Sequence, residues 1–542
     1  MTATLPTAPA RPAAGPRHAR ARVRPVLRLR NSPPDVLLCG ALLCAVLCVQ
    51  GWNITGYPNL SDDEGTYLAQ AWAVQQGRGL AHYTYWYDHP PLGWLQLAAV
   101  TWLPSVVSPE LFTVAPMRWA MLAVSAAGAV LCYALGRRLG LPHWVAGLAT
   151  LLYGLSPLSV VLQRQIFLDN IAVVWMLLAF CLAASPRRHL WHHFAAGLAA
   201  AVSVLSKETM LIVLPALLVT LWQHSHRATR KFAVTGAVTA CVLTGLAYPL
   251  FALLHHELFP GPDHVSLADG IKYQLTRAGS GFVLSPGTGA RRVLGSWLYY
   301  DRVLPLAGLA AASVLLVTAR RPGTTGRRLL GPALAVAALT AMVLRPSGYL
   351  PAMYVIQLLP FLALCLAGLA AAVPARILHT PPGFRRRWYA ARWTAVLLLA
   401  GGALGWTVPR WYDGDRAAVT RELNGPYRQA VSWLGDRGKV ADPGRARVLA
   451  DDAVWLDLVH RGYSPGTGAI WFYKADLDPA IRARLPHGWR DVDYVVASPT
   501  VRRDAVDLPV VEGALEHSRP VAVFGGGADR IEIRRVARGS AR

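Results

Sequence analysis

Long apolar runs broken by short polar stretches fill residues 35–408, and a shorter alternation of apolar and polar positions takes over after them. With about 20 apolar residues counted as one membrane crossing, the pattern predicts helices over 35–52, 114–135, 142–158, 168–184, 194–206, 208–222, 232–253, 302–319, 329–344, 351–372 and 392–408. The fifth and sixth are short and nearly touch at Lys207. Beyond 409 the patterning predicts a helix over 415–435, carried by Val419, Leu423, Ala430, Val431 and Leu434, and strands over 447–450, 492–497, 521–524 and 531–536. The expected fold class is mainly α: a polytopic membrane protein of about 11 transmembrane helices with a small C-terminal external α/β domain. Residues 1–33, rich in Pro, Ala and Arg, are expected to be a disordered basic cytoplasmic tail, 34–408 the transmembrane domain, and 409–542 the external domain. No small-residue cleavage site follows the first apolar run, which is expected to remain as an anchor.

Composition agrees with the pattern. The 542 residues are 54% hydrophobic and 15% charged, outside the range of an ordinary soluble enzyme. All seven cysteines lie in apolar runs and read as core residues rather than disulfides or metal ligands. A net charge of +24 would suggest nucleic acid in a soluble protein, but here the bases sort by side. The N-terminal segment, Arg137-Arg138, Arg187-Arg188, Arg227 with Arg230-Lys231, Arg320-Arg321 with Arg327-Arg328, and Arg376 with Arg385-Arg386-Arg387 fall on one face, as cytoplasmic loops do. The opposite face receives loops 53–113 and 254–301 and eleven of the twelve acids before residue 409, all but Asp35. Nucleic acid is therefore not an expected partner. With five Lys among 54 bases, the chain has the Arg bias of a GC-rich bacterium, so the sequons at Asn53 and Asn59 are discounted.

The first external loop holds Ser61-Asp62-Asp63-Glu64 and then Asp88-His89-Pro90-Pro91-Leu92-Gly93-Trp94. Consecutive carboxylates repel one another and are expected to titrate upward unless a cation or proton shares the site. A solvated acidic turn followed by an interfacial helix, with Trp94 and Trp102 at headgroup depth, is the alternative. Asp169 opens a span after Arg164 and fits either a polar site or the dipole of its helix; Arg164 fits an anion site or a snorkelling interface residue. Lys207-Glu208 and Arg345, the latter followed by Tyr349 and Tyr354, sit at the same face. The hexapeptide Ser-Pro-Gly-Thr-Gly-Ala, at 285–290 and 464–469, reads as turn chemistry and lacks the ending of a phosphate loop. One face thus offers carboxylates that accept a proton and cations that hold a phosphate, which suits group transfer from a lipid phosphate to a hydroxyl.

Asp63-Glu64, the Asp88 to Gly93 motif, the Arg164 to Asp169 turn and Lys207 together resemble the GT-C glycosyltransferases that use polyprenyl-phosphate sugars, the protein O-mannosyltransferase and aminoarabinose-transferase relatives, over roughly residues 35–370. The resemblance implies an inverting glycosyltransferase of the plasma membrane with a polyprenyl-phosphate sugar as donor and a glycan, protein or lipid hydroxyl as acceptor. It carries the catalytic base over to Asp63, with Glu64 beside it, and the donor-phosphate or metal region to Asp88 and His89; the external-face cations Arg164, Lys207 and Arg345 are the further candidates for holding the donor phosphate. Asp62, Asp169 and Tyr349 are candidates for the acceptor or structural polar site. Relatives of this kind differ in metal use, so a divalent metal ion is one option for a cofactor, with Asp88 as its candidate ligand. Two other classes are weighed: a secondary transporter, for which acids at mid-bilayer and repeated halves are expected, and an inactive assembly protein of the same fold.

Overall fold

The computed structural model describes residues 33–85, 87–107, 113–261, 264–378 and 386–537. The expected disordered tail, apart from Pro33, lies outside them. All eleven predicted runs fall on helices. Among the described residues five helical segments are long and apolar enough to cross a membrane: Pro34–Gly51, Val114–Arg138, Arg230–Leu254, Ala352–Pro374 and Ala390–Leu434. Two more arise if the bent pairs His143–Leu155 with Pro157–Arg164 (61°) and Gly289–Tyr300 with Val303–Thr318 (103°) each count once. The other four predicted spans are shorter apolar helices, Leu168–Ala183, Leu190–Ser206, Glu208–His224 and Leu330–Val343. A 16-residue helix such as Leu168–Ala183 rises about 24 Å, less than the ~30 Å hydrocarbon core. Three of the four shorter helices fall short where Asp169 and Lys207 sit buried among them.

Chain breaks make that polar end. Ser156-Pro157 bends one span, with Pro at the first helical position, where its missing N–H costs nothing. Lys207 adopts an extended backbone (φ −154°) between Leu190–Ser206 and a 3₁₀ turn, Glu208–Val213. In the first external loop, helix Asp62–Gln75 follows Ser61, and helix Leu92–Val107 follows Pro90-Pro91. Trp94, expected at headgroup depth, is buried instead and packs edge-on against Tyr85 (5.6 Å), because helix Leu92–Val107 is pressed into the bundle; Trp102 is exposed.

Helix Arg386–Thr420 runs unbroken past the expected boundary at 409, and the helix predicted over 415–435 is divided before Gly425–Leu434. Asn424 explains the break: its amide donates to the carbonyls of Thr55 (2.9 Å) and Pro58 (3.0 Å) and accepts from the Leu60 amide (3.1 Å). Beyond it, β1 (Val448–Ala450), β2 (Ala469–Trp471), β3 (Tyr494–Ala497), β4 (Ser518–Phe524) and β5 (Ile531–Val536) form one sheet in the order β2-β1-β3-β5-β4. β2, β1 and β3 are parallel, and β3-β5-β4 antiparallel. Both Ser-Pro-Gly-Thr-Gly-Ala copies are turns: Gly287 (φ +78°) precedes Thr288, which caps helix Gly289–Tyr300, and Gly466 (φ +70°) leads into β2.

Candidate active site

Helix Asp62–Gln75 places three acids in its first turn, where the backbone N–H groups favour negative charge. The three then diverge. Glu64 is fully buried: Oε1 accepts from Arg118 Nε (2.8 Å) and the Ile166 amide (3.0 Å), and Oε2 from Arg118 Nη2 (2.6 Å), the Ser61 amide (3.1 Å) and Gln165 Nε2 (3.3 Å). Asp62 and Asp63 instead line a cavity of about 690 Å³, and Asp63 accepts no side-chain hydrogen bond from any described residue.

Five candidate residues line this cavity: Asp62, Asp63, Asp88, His89 and Tyr349. Tyr87, beside Asp88, has φ +60°, a costly conformation for a bulky residue. Neighbours hold it there: Tyr87 Oη donates to Glu257, Gln274 Nε2 to the Asp88 carbonyl (3.2 Å), and Tyr248 Oη to the His89 carbonyl (3.3 Å). Gly93 lets the next helix approach, since a Cβ there would stand 2.9 Å from the Ser206 carbonyl oxygen. That approach brings His89 Nε2 to 2.9 Å from Lys207 Nζ, while His89 Nδ1 lies 3.1 Å from Glu208 Oε2. An ammonium at Lys207 donates to Nε2, which leaves the ring proton on Nδ1 for Glu208. Lys207 Nζ is also 3.7 Å from Asp169 Oδ2, and Asp169 Oδ1 accepts from Gln357 Nε2 (2.6 Å). A polar chain therefore runs Asp169, Lys207, His89, Glu208, buried at Asp169 and Lys207 and part-exposed at Glu208, and of the four only His89 lines the cavity.

Burial pushes the Asp63 carboxyl up, Lys207 and His89 pull it back, and Asp88 pushes it up again, with a net rise. For Asp62 the rise is larger: burial acts first, then the charges of Asp451, Asp452 and Asp63. The buried Asp88 Oδ1 has no hydrogen-bond partner. Among the described residues no three His, Cys, Asp or Glu side chains converge as metal ligands, so at Asp88 the protein alone does not supply a complete ligand set for a divalent ion.

Other candidates lie elsewhere. Arg164 is buried, donating to the carbonyls of Ala418 (3.0 Å) and Val49 (2.5 Å), where it ties the long C-terminal helix to the first span. Arg345 donates to the Tyr349 carbonyl (2.9 Å) and does not line the cavity. The cavity also contains residues that sequence reasoning missed. Arg277 lies 3.5 Å above the Tyr349 ring and makes no ion pair among the described residues. The C-terminal unit supplies Asp452, Tyr473 and Arg503. Asp452 Oδ2 accepts from Thr66 Oγ1 and from Tyr473 Oη (2.8 Å). Gly65 allows this docking, since any Cβ there would fall 2.0 Å from the Asp452 carbonyl oxygen. The adjacent acids Asp451-Asp452 were the signal available in the sequence; nothing there distinguished Arg277 from other bases.

A membrane-embedded helical bundle thus presents a carboxylate with no side-chain hydrogen bond, the unpaired cation Arg277 and a small α/β unit around one cavity. Residues 88–249 match the family described as dolichyl-phosphate-mannose-protein mannosyltransferase. The fold is similar to that of ArnT from Cupriavidus metallidurans in the apo state (TM-score 0.57, 16% identity, 93% of this chain and 98% of that one) and bound to undecaprenyl phosphate (TM-score 0.55, 14% identity, the same coverage). It is also similar to the Archaeoglobus fulgidus oligosaccharyltransferase in the apo form (TM-score 0.53, 12% identity, 93% of this chain and 75% of that one). No curated protein matches in sequence. The resemblance read in the sequence therefore holds: the chain resembles the GT-C glycosyltransferases that use polyprenyl-phosphate sugars, in sequence over residues 88–249 and in fold over nine-tenths of its length.

Proposed function

We propose that this protein is an inverting glycosyltransferase that moves a sugar from a polyprenyl-phosphate donor to an acceptor hydroxyl at the outer face of the plasma membrane. The observation that carries the reading is the contrast between neighbouring acids: Glu64 is locked by five donors, and Asp63 faces the cavity with none. A general base needs a free lone pair facing the reacting hydroxyl and a pKa raised above the ordinary carboxylate range; the unbonded Asp63 carboxyl in the cavity wall, raised by burial, supports that role. In this reading Asp63 takes the proton of the acceptor hydroxyl as that oxygen bonds to the anomeric carbon. The bond from that carbon to the phosphate oxygen breaks, and its electron pair leaves with polyprenyl phosphate. Negative charge grows on the leaving phosphate, so fixed cations stabilise the transition state more than the ground state. Arg277 takes that role, and the Lys207 ammonium, held behind the cavity wall by His89, adds its field.

The remaining residues divide by what they touch. Asp88, with its buried unbonded oxygen, is suited to accept from a sugar hydroxyl, and Asp62 from the acceptor. Tyr349 offers an aromatic face beside Arg277. Glu64, Asp169, Arg164 and Arg345 are positioning residues, each acting through a neighbour. The acceptor is a glycan, protein or lipid of the cell envelope. The test is chemical: envelope glycans and lipid-linked sugars of a strain lacking the chain are compared with those of its parent. A missing glycosidic linkage together with accumulated polyprenyl-phosphate sugar supports the reading; unchanged glycans and donor pool overturn it.

A further inference from the structure

At the opposite end of the bundle from the Asp63 cavity is a second hollow of about 570 Å³, and its wall contains Arg188, Arg227, Arg230, Arg327 and Arg328 around Trp222. Helices Leu168–Ala183 and Glu208–His224 connect the two ends, running from Asp169 and Lys207 to Arg188 and Trp222. No carboxylate lines the hollow, and none of the five arginines makes an ion pair among the described residues. The chain cannot supply the missing charge at this end. Its loops there, 136–143, 185–193, 224–231 and 319–329, contain no Asp or Glu, and neither do 1–32 or 379–385. Asp35, the one acid expected on this face, is already held by Arg137 Nε (2.9 Å) and Tyr133 Oη (2.6 Å). A charge bias on cytoplasmic loops accounts for the number of arginines, but not for five of them converging on one concave surface.

We propose that this hollow binds the headgroup of an anionic phospholipid carrying more than one phosphate, in the leaflet opposite the Asp63 cavity. Five guanidinium groups exceed the charge of a single phosphodiester, and guanidinium forks match phosphate oxygens in pairs. Apolar surface for acyl chains adjoins the hollow: Trp222 is half exposed beneath Arg230 (4.8 Å), Leu218 is exposed one turn before it on the same helix face, and Phe232 is exposed on the neighbouring helix. A soluble anion would use none of these groups.

The test is native mass spectrometry and thermal stability of the full chain in nanodiscs of phosphatidylcholine, with and without added cardiolipin. The wild type is expected to retain cardiolipin and gain stability from it. Arg227→Gln with Arg327→Gln should weaken retention about 25-fold, at about fivefold per arginine. Arg320→Gln with Arg321→Gln, exposed on the same face but outside the hollow, should leave it unchanged. Equal losses in both pairs, no preference for cardiolipin over phosphatidylcholine, or full displacement by inorganic phosphate at millimolar concentration would each overturn the proposal.

Discussion

Substituting Glu64 and Asp63 separately should divide stability from chemistry between two adjacent residues. In Glu64→Gln the side-chain shape is kept, but the pair with Arg118 loses its charge, and one amide NH₂ must face donors. On Oε2 those donors are Arg118 Nη2, the Ser61 amide and Gln165 Nε2; on Oε1 they are Arg118 Nε and the Ile166 amide. Both partners are fully buried. Removing one side of such a pair costs about 3–5 kcal/mol because the other charge is left uncompensated. At about 2 °C per kcal/mol for a large chain, the heat-denaturation midpoint should fall by roughly 6–10 °C. Asp63→Asn removes a carboxylate that accepts no hydrogen bond and that burial already disfavours in its charged form, so its midpoint should stay at or slightly above the parent's. The assay is the fraction of monodisperse protein in detergent after heating, followed by size-exclusion chromatography, alongside sugar transfer. A Glu64→Gln protein as stable as its parent but without activity would refute the reasoning, as would an Asp63→Asn protein destabilised as much as Glu64→Gln.

Four further outcomes are expected. Arg277→Gln should raise the apparent donor requirement by about tenfold or more, the worth of a charge-assisted hydrogen bond, without changing thermal stability, since its guanidinium lies against two tyrosine faces and makes no ion pair among the described residues; donor titration of the variant decides this. Lys207→Met should lower both stability and transfer, because Asp169 is left buried and unpaired; Asp169→Asn added to it should restore part of the stability, as a double-mutant cycle would measure. Transfer should fall as pH drops through the raised Asp63 value, because the base must be ionised. Docking of the C-terminal unit has the opposite sign. Burial pushes Asp451 up to about 6, and burial with neighbouring acids raises Asp62 further. A raised folded-state pKa gives stability that is full below the ordinary carboxylate range and lost as pH rises through the folded value, so protease cleavage between the two units should increase from pH 5 to 8.

The eleven apolar helices, four of the five strands and the cavity acids Asp62, Asp63 and Asp88 were legible in the sequence because each is a local signal: an apolar run, an alternation, or a rare charge beside a span. The fates of those charges were not, because they depend on partners distant in the chain. Asp63 and Glu64 look alike in sequence and separate only because Arg118, 54 positions further on, folds back under one of them. Arg164 looked like an anion site until the carbonyls of Val49 and Ala418 claimed its guanidinium. β2, three residues without alternation, gave no periodic signal. The part of the C-terminal unit in the cavity also escaped, since a docking surface made by Gly65 against Asp452 leaves no pattern in either segment alone.

The central claim is that Asp63 activates an acceptor hydroxyl against a polyprenyl-phosphate sugar. Its most direct measurement is release of polyprenyl phosphate, followed by mass spectrometry, when purified protein is given lipid-linked sugars extracted from the native membrane together with envelope acceptors. The wild type should release the carrier with an inverted glycosidic linkage in the product, and the equally stable Asp63→Asn protein should release none. Equal release by both would contradict the account.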